Sequence, residues 1–404
     1  MRRLNVWLVA LGIGVVNALL LRVFELAVND GTNELWNRLF RSDSHRWVVV
    51  PLAVGLSLLY SLIIRSLGQQ RVIKPETDLL AEMSDAPSKL SAIGVILLIG
   101  LVSLLAGASL GPEASLLAAS AAIGGWAAAK AKTDLQRQLL ILASVGALLV
   151  AFLGSFMMVL VPLLLLLQQK KFKPLPAALM FVAAGAAYGT IWLVDRAHPG
   201  FGTAPPLPAL SAHDFIVAPF VGAVAAFVAA GLNQAISRLT PHIERLDQHI
   251  AWPLAAAAFG LALGGLYLLG GQSIEFSGNV GSKQLISDHA QSGAAVLIGL
   301  LTAKLLATAW SKITGYRGGL VFPSIYLGVA LGLLVGSLAG SWGGAGAMIG
   351  GIAGTLSAVT GSSVVAAVFV LAVLPVALLP VALVAIAGAA GGNWLLGQLA
   401  HRHA

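Results

Sequence analysis

The chain contains no cysteine, so disulfides, iron–sulfur clusters and thiolate metal sites are excluded. Charge is also scarce. Asp, Glu, Lys and Arg make up 10% of the 404 residues, where a soluble domain carries about 25%. No stretch alternates with period two between turns, which argues against a transmembrane barrel. The eight histidines lie in loops or at the terminus, and none pairs at metal-site spacing with a carboxylate on one helix. No bound cofactor or metal is expected. The glycine-rich stretches lack the Lys-Ser/Thr of a phosphate loop. Met1-Arg2-Arg3 precedes an apolar run that continues to Val28 without a small-residue cleavage pattern, so it reads as a retained helix.

What is present is hydrocarbon. Apolar residues make up 58% of the chain, and the mean hydropathy is +0.90. Together these define a multi-pass membrane protein, placed in the cell (inner) membrane. The net charge of +8 resides in short loops: Arg65, Arg71 and Lys74; Lys130, Lys132 and Arg137; Lys170, Lys171 and Lys173. The positive-inside rule accounts for such clusters, and no nucleic-acid partner is implied.

Apolar segments lie near 5–28, 47–64, 91–107, 114–129, 138–167, 175–194, 215–236, 252–270, 293–310, 320–341, 344–359, 363–389 and 391–400. Several are shorter than the roughly 20 residues that span a bilayer, and others are long enough for a tilted or doubled helix. Such unevenness predicts re-entrant and broken helices, which survive only inside protein or along a cavity. The expected architecture is all-α: a first transmembrane repeat over 1–195, a polar linker over 196–214 and a second repeat over 215–404. No cytosolic regulatory domain is expected.

One carboxylate stands out. Glu113 is the only charged residue between positions 91 and 129. A charge in hydrocarbon costs several kcal/mol by most estimates, so such residues face a bundle interior or a watery cavity. Gly111-Pro112 interrupts the helix, and a new one can start at Glu113. A helix N-terminus carries roughly half a positive charge and accepts an anion or a carboxylate. The bland alternative is a Glu paired with a buried partner. The second half carries a matching device, Gly318-Gly319-Leu320-Val321-Phe322-Pro323. Interrupted segments at corresponding places in two halves point to a midplane binding site in an inverted-repeat transporter.

On these residues the chain resembles the CLC family of chloride channels and proton-coupled anion transporters, as a divergent bacterial branch. Gly111-Pro112-Glu113-Ala114-Ser115 resembles the family's Gly-Arg-Glu-Gly-Pro. Gly319-Leu320-Val321-Phe322-Pro323 resembles its Gly-x-Phe-x-Pro. The resemblance implies a CLC-like inverted repeat and a homodimer in which each subunit has its own pore. It implies transport of chloride or another small anion, with Glu113 as the gate. Backbone N–H groups of Gly111, Glu113, Ala114, Gly319, Leu320 and Val321 would bind the anion; Val72, Phe322 and Gln168 are pore-lining candidates.

The departures matter. Pro112 stands where the family has Arg and has no N–H to donate. The family's early serine motif matches Val72-Ile73-Lys74-Pro75, with Val72 for serine, or Ser84-Asp85-Ala86-Pro87, with Ser84 kept. No Tyr follows Tyr326, so the family's central tyrosine hydroxyl is absent. The expected inner proton-relay acid is replaced by Leu167-Gln168-Gln169-Lys170. These losses favour a passive or weakly proton-coupled pore over a tight exchanger. The alternative is a proton-coupled chloride (or other anion) antiporter with a noncanonical inner proton path. A reading of another class, an intramembrane enzyme using Glu113 as acid/base, lacks a convergent partner.

Other polar residues carry plainer readings. Lys304 either bonds carbonyls within the bundle or attracts anions. Arg22 and Glu25 are spaced for an ion pair, with Glu25 as proton relay the sharper reading. Glu275 reads as a loop residue.

Overall fold

A computed structural model of the chain describes residues 3–38, 43–72, 90–129, 131, 133–168, 174–195, 207–289, 291–340 and 344–402. The described residues form helices, joined by turns and irregular segments, with one isolated backbone bridge among them. Among the described residues, nine helices are long and apolar enough to cross a membrane. Shorter apolar helices include Leu90–Leu105, Ala345–Thr360 and Ser363–Val373.

The chain forms two compact units. The first comprises Met1–Gly31, Glu76–Leu101 and Glu113–Thr203. It holds most of α1 (Arg3–Thr32) and α3 (Leu90–Leu105), with α4 (Glu113–Ala127), α5 (Asp134–Leu153), α6 (Leu160–Gln168) and α7 (Pro174–Val194). Small residues bring these helices close, as expected where packing rather than water expulsion drives association. A Cβ on Gly124 of α4 would sit 2.6 Å from the Ile141 Cα of α5. A polar thread binds the same layer. Asn17 donates to Ser144 Oγ at 2.9 Å, and Ser144 Oγ donates to the Ser120 carbonyl at 2.7 Å. Thr133 caps α5 by accepting from Gln136 N–H.

The second unit comprises Thr32–Pro75, Val102–Pro112 and Ala204–Ala404. Its helices are α2 (Val49–Ser66), α8 (Asp214–His249), α9 (Trp252–Gly270), α10 (Asn279–His289), α11 (Ala294–Ile313), α12 (Val321–Ala339), α13 (Ala345–Thr360), α14 (Ser363–Val373) and α15 (Leu379–Arg402). Gly260 and Gly264 of α9 press on Ala53 and Val50 of α2, so the two helices run antiparallel. Gly350 and Gly354 of α13 meet the Ala218 and Gly222 carbonyls of α8. Asp214 links the start of α8 to α13: its Oδ1 accepts from Gly346 N–H at 2.7 Å, at the positive end of α13.

Several segment boundaries move. The apolar run 138–167 is two helices, broken where Gly154 adopts φ 62°. The segment expected at 215–236 continues as helix to His249. The runs 363–389 and 391–400 regroup as α14 and an α15 that passes unbroken through Gly391-Gly392.

Candidate functional site

The two Gly/Pro motifs meet. Gly111 N–H donates to the Gly319 carbonyl at 2.9 Å, and Gly319 N–H donates to the Gly111 carbonyl at 2.7 Å. This reciprocal pair is the isolated bridge of the fold. Glycine is required nearby, because a Cβ on Gly318 would lie 2.5 Å from Leu110 Cβ and 2.9 Å from the Gly111 oxygen. The bridge corrects one expectation. Gly111 and Gly319 spend their N–H groups on each other, so they frame the motifs instead of donating to an anion.

Helices open just past each glycine. Glu113 is the first residue of α4 and is 4% exposed. Ser115 on the next turn packs against Gly100 of α3, where a Cβ would clash with the serine side chain. Leu320 is the N-terminal cap residue of α12, with φ −108° and ψ 0°, and Val321 begins the helix. The first-turn N–H groups of a helix have no intrahelical acceptor and point out of its N-terminal end. Pro323 contributes none. Phe322 is buried in the same turn.

Hydroxyls and a ring brace the approach to Gly111. Ser109 N–H donates to Ser311 Oγ at 3.0 Å, and Ser109 Oγ lies 3.2 Å from Thr308 Oγ1. Tyr267 OH donates to the Gly107 carbonyl at 2.6 Å. Gly107 adopts φ 90°, where a side chain would also strike the Trp36 ring.

The approach to Gly319 is braced by Arg71. Its guanidinium donates from Nε to the Thr314 carbonyl at 2.9 Å and from Nη2 to Ser57 Oγ at 3.0 Å. A further donor reaches Ser61 Oγ. The group lies over the rings of Tyr60, Phe259 and Tyr316 at 5.0–5.3 Å. Arg317 donates to the Gln70 carbonyl at 2.9 Å, and Lys312 donates to the Gly318 carbonyl at 3.0 Å. Arg71, Lys312 and Arg317 therefore gather around the segment that leads into α12. Arg71, expected from its position to be a loop charge, is instead buried. The adjacent Tyr316-Arg317-Gly318-Gly319 run is the signal that could have found this cluster.

Val72 is 3% exposed and lies beside Gly315, whose added Cβ would be 3.0 Å from the Val72 nitrogen. The rest of its motif, Ile73 to Pro75, lies outside the described residues, as do Ser84, Glu76 and Gln169. Gln168 ends α6, and its side chain is also outside them. Lys304 is fully buried and bonds carbonyls: Nζ donates to Ile274 and Phe276 oxygens at 2.9 and 2.6 Å. The Arg22–Glu25 pair forms at 3.3 Å, and Arg22 also holds Asp195 at 3.0 Å.

Membrane-length apolar helices, with two Gly/Pro turns that hydrogen-bond each other, define a polytopic membrane protein. Residues 56–392 match the voltage gated chloride channel (CLC) family, and the chain belongs to that family. Its members are ion channels and transporters, not enzymes. The chain is 26% identical over 338 residues to "Putative ion-transport protein YfeO" of Escherichia coli O139:H28 (strain E24377A / ETEC), covering 80% of this chain and 76% of that one. The protein of that name from Shigella boydii serotype 18 (strain CDC 3083-94 / BS512) matches to the same extent.

Among solved structures, a slow cyanobacterial Cl-/H+ antiporter superposes with TM-score 0.73 at 18% identity, covering 98% of this chain and 97% of that one. A CLC-type fluoride/proton antiporter gives 0.71 at 15%, covering 95% and 94%. A eukaryotic CLC transporter gives 0.74 at 17%, covering 96% and 72%. The fold is the CLC fold.

Proposed function

We propose that the chain moves small inorganic anions, chloride first, across the cell (inner) membrane by a passive or weakly proton-coupled pore gated by Glu113. The carrying observation is the reciprocal Gly111–Gly319 hydrogen-bond pair. It ties together the glycine turns that precede the two interrupted helices, at α4 and α12. The proposed anion site takes its backbone donors from Glu113, Ala114, Leu320 and Val321, with Val72 and Phe322 as candidate lining. Main-chain donors hold an anion without a full positive charge that would trap it. The Glu113 carboxylate, at the positive end of its own helix, competes with the anion for such donors.

The test is anion efflux from proteoliposomes as a function of pH. Glu113→Gln and Glu113→Ala should raise flux and remove the part of its pH dependence that this carboxyl sets. A charge at a helix N-terminus is worth up to about 2 kcal/mol, so the rise at neutral pH should be roughly five- to thirtyfold. Mutants that keep the wild-type pH profile would rule Glu113 out as the gate.

The second reading is a proton-coupled exchanger of chloride or another anion. Two proteins of the same fold are described as chloride/proton and fluoride/proton antiporters, and these supply the anions to compare. The working unit is proposed to be a homodimer. Exposed aromatic and aliphatic side chains on α7, among them Trp192 and Leu193, support a lipid- or partner-facing surface there. A chain that stays monomeric in lipid at every density would remove that part of the reading.

A further inference from the structure

The segment Gly271–Gly278, between α9 and α10, is folded under constraint. Gly271 and Gly278 have φ 72° and 87°, and Phe276 has φ 54°, a left-handed conformation unusual for a bulky residue. Lys304 of α11 holds the segment by bonding the carbonyls of Ile274 and Phe276, the residues on either side of Glu275. Glu275, held between these two carbonyls, lines a cavity of about 330 Å³ together with Arg46, Tyr267, Ser273, Gln284 and Asp288. Glu275 is 7% exposed, so it borders this cavity from within the protein.

Lys304 also connects the segment to the candidate pore helix. Its ammonium lies 5.2 Å from the centre of the Tyr326 ring on α12, five residues past Val321. A Cβ on Gly278 would lie 2.9 Å from Tyr326 Cβ and 3.3 Å from Lys304 Cε, so only glycine lets the three elements close up. The charged or titratable groups around Glu275 are then Lys304 from α11, Arg46 from the turn before α2, Asp288 from α10 and Tyr267 from α9.

The cavity has a defined side. Arg65 lies over Trp252 at the start of α9. Arg46 lies against Gly271 at the other end. Arg65, Arg71, Arg238, Arg245, Lys312 and Arg317 gather at the first end, against Arg38, Arg46 and Lys283 at the second. By the positive-inside rule the first end is cytoplasmic, and the cavity opens to the outer face.

We propose that Glu275 is a second proton-binding site of this protein, reached from the outer face through the cavity, and that its charge state tunes anion occupancy at the N-terminus of α12. When Glu275 is ionised, its charge offsets that of Lys304. When it takes up a proton, the net charge of the segment beside α12 rises by one, which favours an anion there. Burial pushes the Glu275 carboxyl up to about 7, against the pull of Lys304 and Arg46. External pH therefore titrates it within the ordinary range.

The effect on flux rests on the anion-transport reading; the proton site itself does not. Two measurements separate them. In the first, chloride efflux from liposomes is followed against external pH in Glu113→Gln protein, which lacks the proposed gate carboxyl. A severalfold rise should appear as pH falls through about 7. Adding Glu275→Gln should abolish the step and hold flux at its acid-side level. Glu275→Asp, which keeps an acid at shorter reach, should move the step along the pH axis. A step that survives Glu275→Gln, or that Glu275→Asp leaves in place, overturns the tuning role.

The second measurement is a pH-titrated infrared difference spectrum between Glu113→Gln and Glu113→Gln/Glu275→Gln proteins. A carboxyl band that titrates near 7 and depends on Glu275 supports the proton site even if no variant carries flux, in which case the transport reading alone has failed. A Glu275 band that titrates at the ordinary 4.5 overturns the site whatever the flux shows.

Discussion

At the scale of single residues, charge in an apolar run was the most legible feature, and its surroundings the least. Glu113 could be singled out because no other charge occurs for about twenty residues on its N-terminal side and fifteen on the other. That Gly111 bonds Gly319 could not be read, since a hydrogen-bond partner some two hundred positions away leaves no local trace. Lys304 fits the plainer of its two readings, bonding carbonyls. Glu275 does lie in a loop, yet it is buried, because Lys304 draws the flanking carbonyls inward. Arg71 shows the limit of counting loop charges: the positive-inside rule fixes a side of the membrane, not a depth. Its guanidinium is buried among three aromatic rings and bonded to carbonyl and hydroxyl oxygens. Such a group is stable without a carboxylate because ring faces and oxygens replace its water.

At the scale of helices, hydropathy marked where hydrocarbon begins and ends, and not where helices do. α8 runs past its apolar part to His249, because a backbone already hydrogen-bonded continues cheaply into water while its amphipathic face stays packed. The break at Gly154 had no hydropathy signal, since the residues on both sides are apolar. Glycine content did signal close packing, and the structure says which glycines matter. At the α12–α13 crossing, a Cβ on Gly351 would lie 2.1 Å from the Gly328 carbonyl, and one on Gly328 would lie 2.3 Å from the Ile352 nitrogen. Both obstacles are backbone and cannot rotate away. Gly351→Ala should therefore part the helices and cost about 1–3 kcal/mol. Because α12 begins at Val321, it should also reduce anion flux. Gly265 and Gly231 meet nothing within 4 Å, so the same substitution there should be neutral or stabilising by up to about 1 kcal/mol, since alanine favours helix. Thermal unfolding in one detergent compares the three; equal losses at Gly351 and Gly265 would show that the crossing is not tightly constrained.

At the scale of the whole molecule, family and fold are shared with proteins that exchange anions for protons, and the residues decide whether this chain does so. Tight exchange needs an outer acid that swaps between proton and anion, and an inner route that delivers the proton. Glu113 is the proposed outer acid. At the inner end, α6 finishes at Gln168, followed by Gln169 and Lys170, and an amide cannot titrate. Of the substitutes in that half, Glu76 lies outside the described residues, and Glu25 is engaged by Arg22, which also holds Asp195. The central tyrosine is missing as well, and a valine stands at the better match for the central serine. With fewer hydroxyls to hold it, an anion excludes the proton less strictly. We therefore expect a chloride gradient to drive chloride flux with little accompanying proton movement and no fixed stoichiometry. The measurement is simultaneous chloride and pH recording in liposomes, with fluoride as the comparison anion. Glu275 alone cannot rescue coupling, because a site titrated from the outer face supplies no inner route. Uphill proton pumping that a chloride gradient drives and Glu113→Gln abolishes would overturn this expectation and establish the antiporter reading in its place.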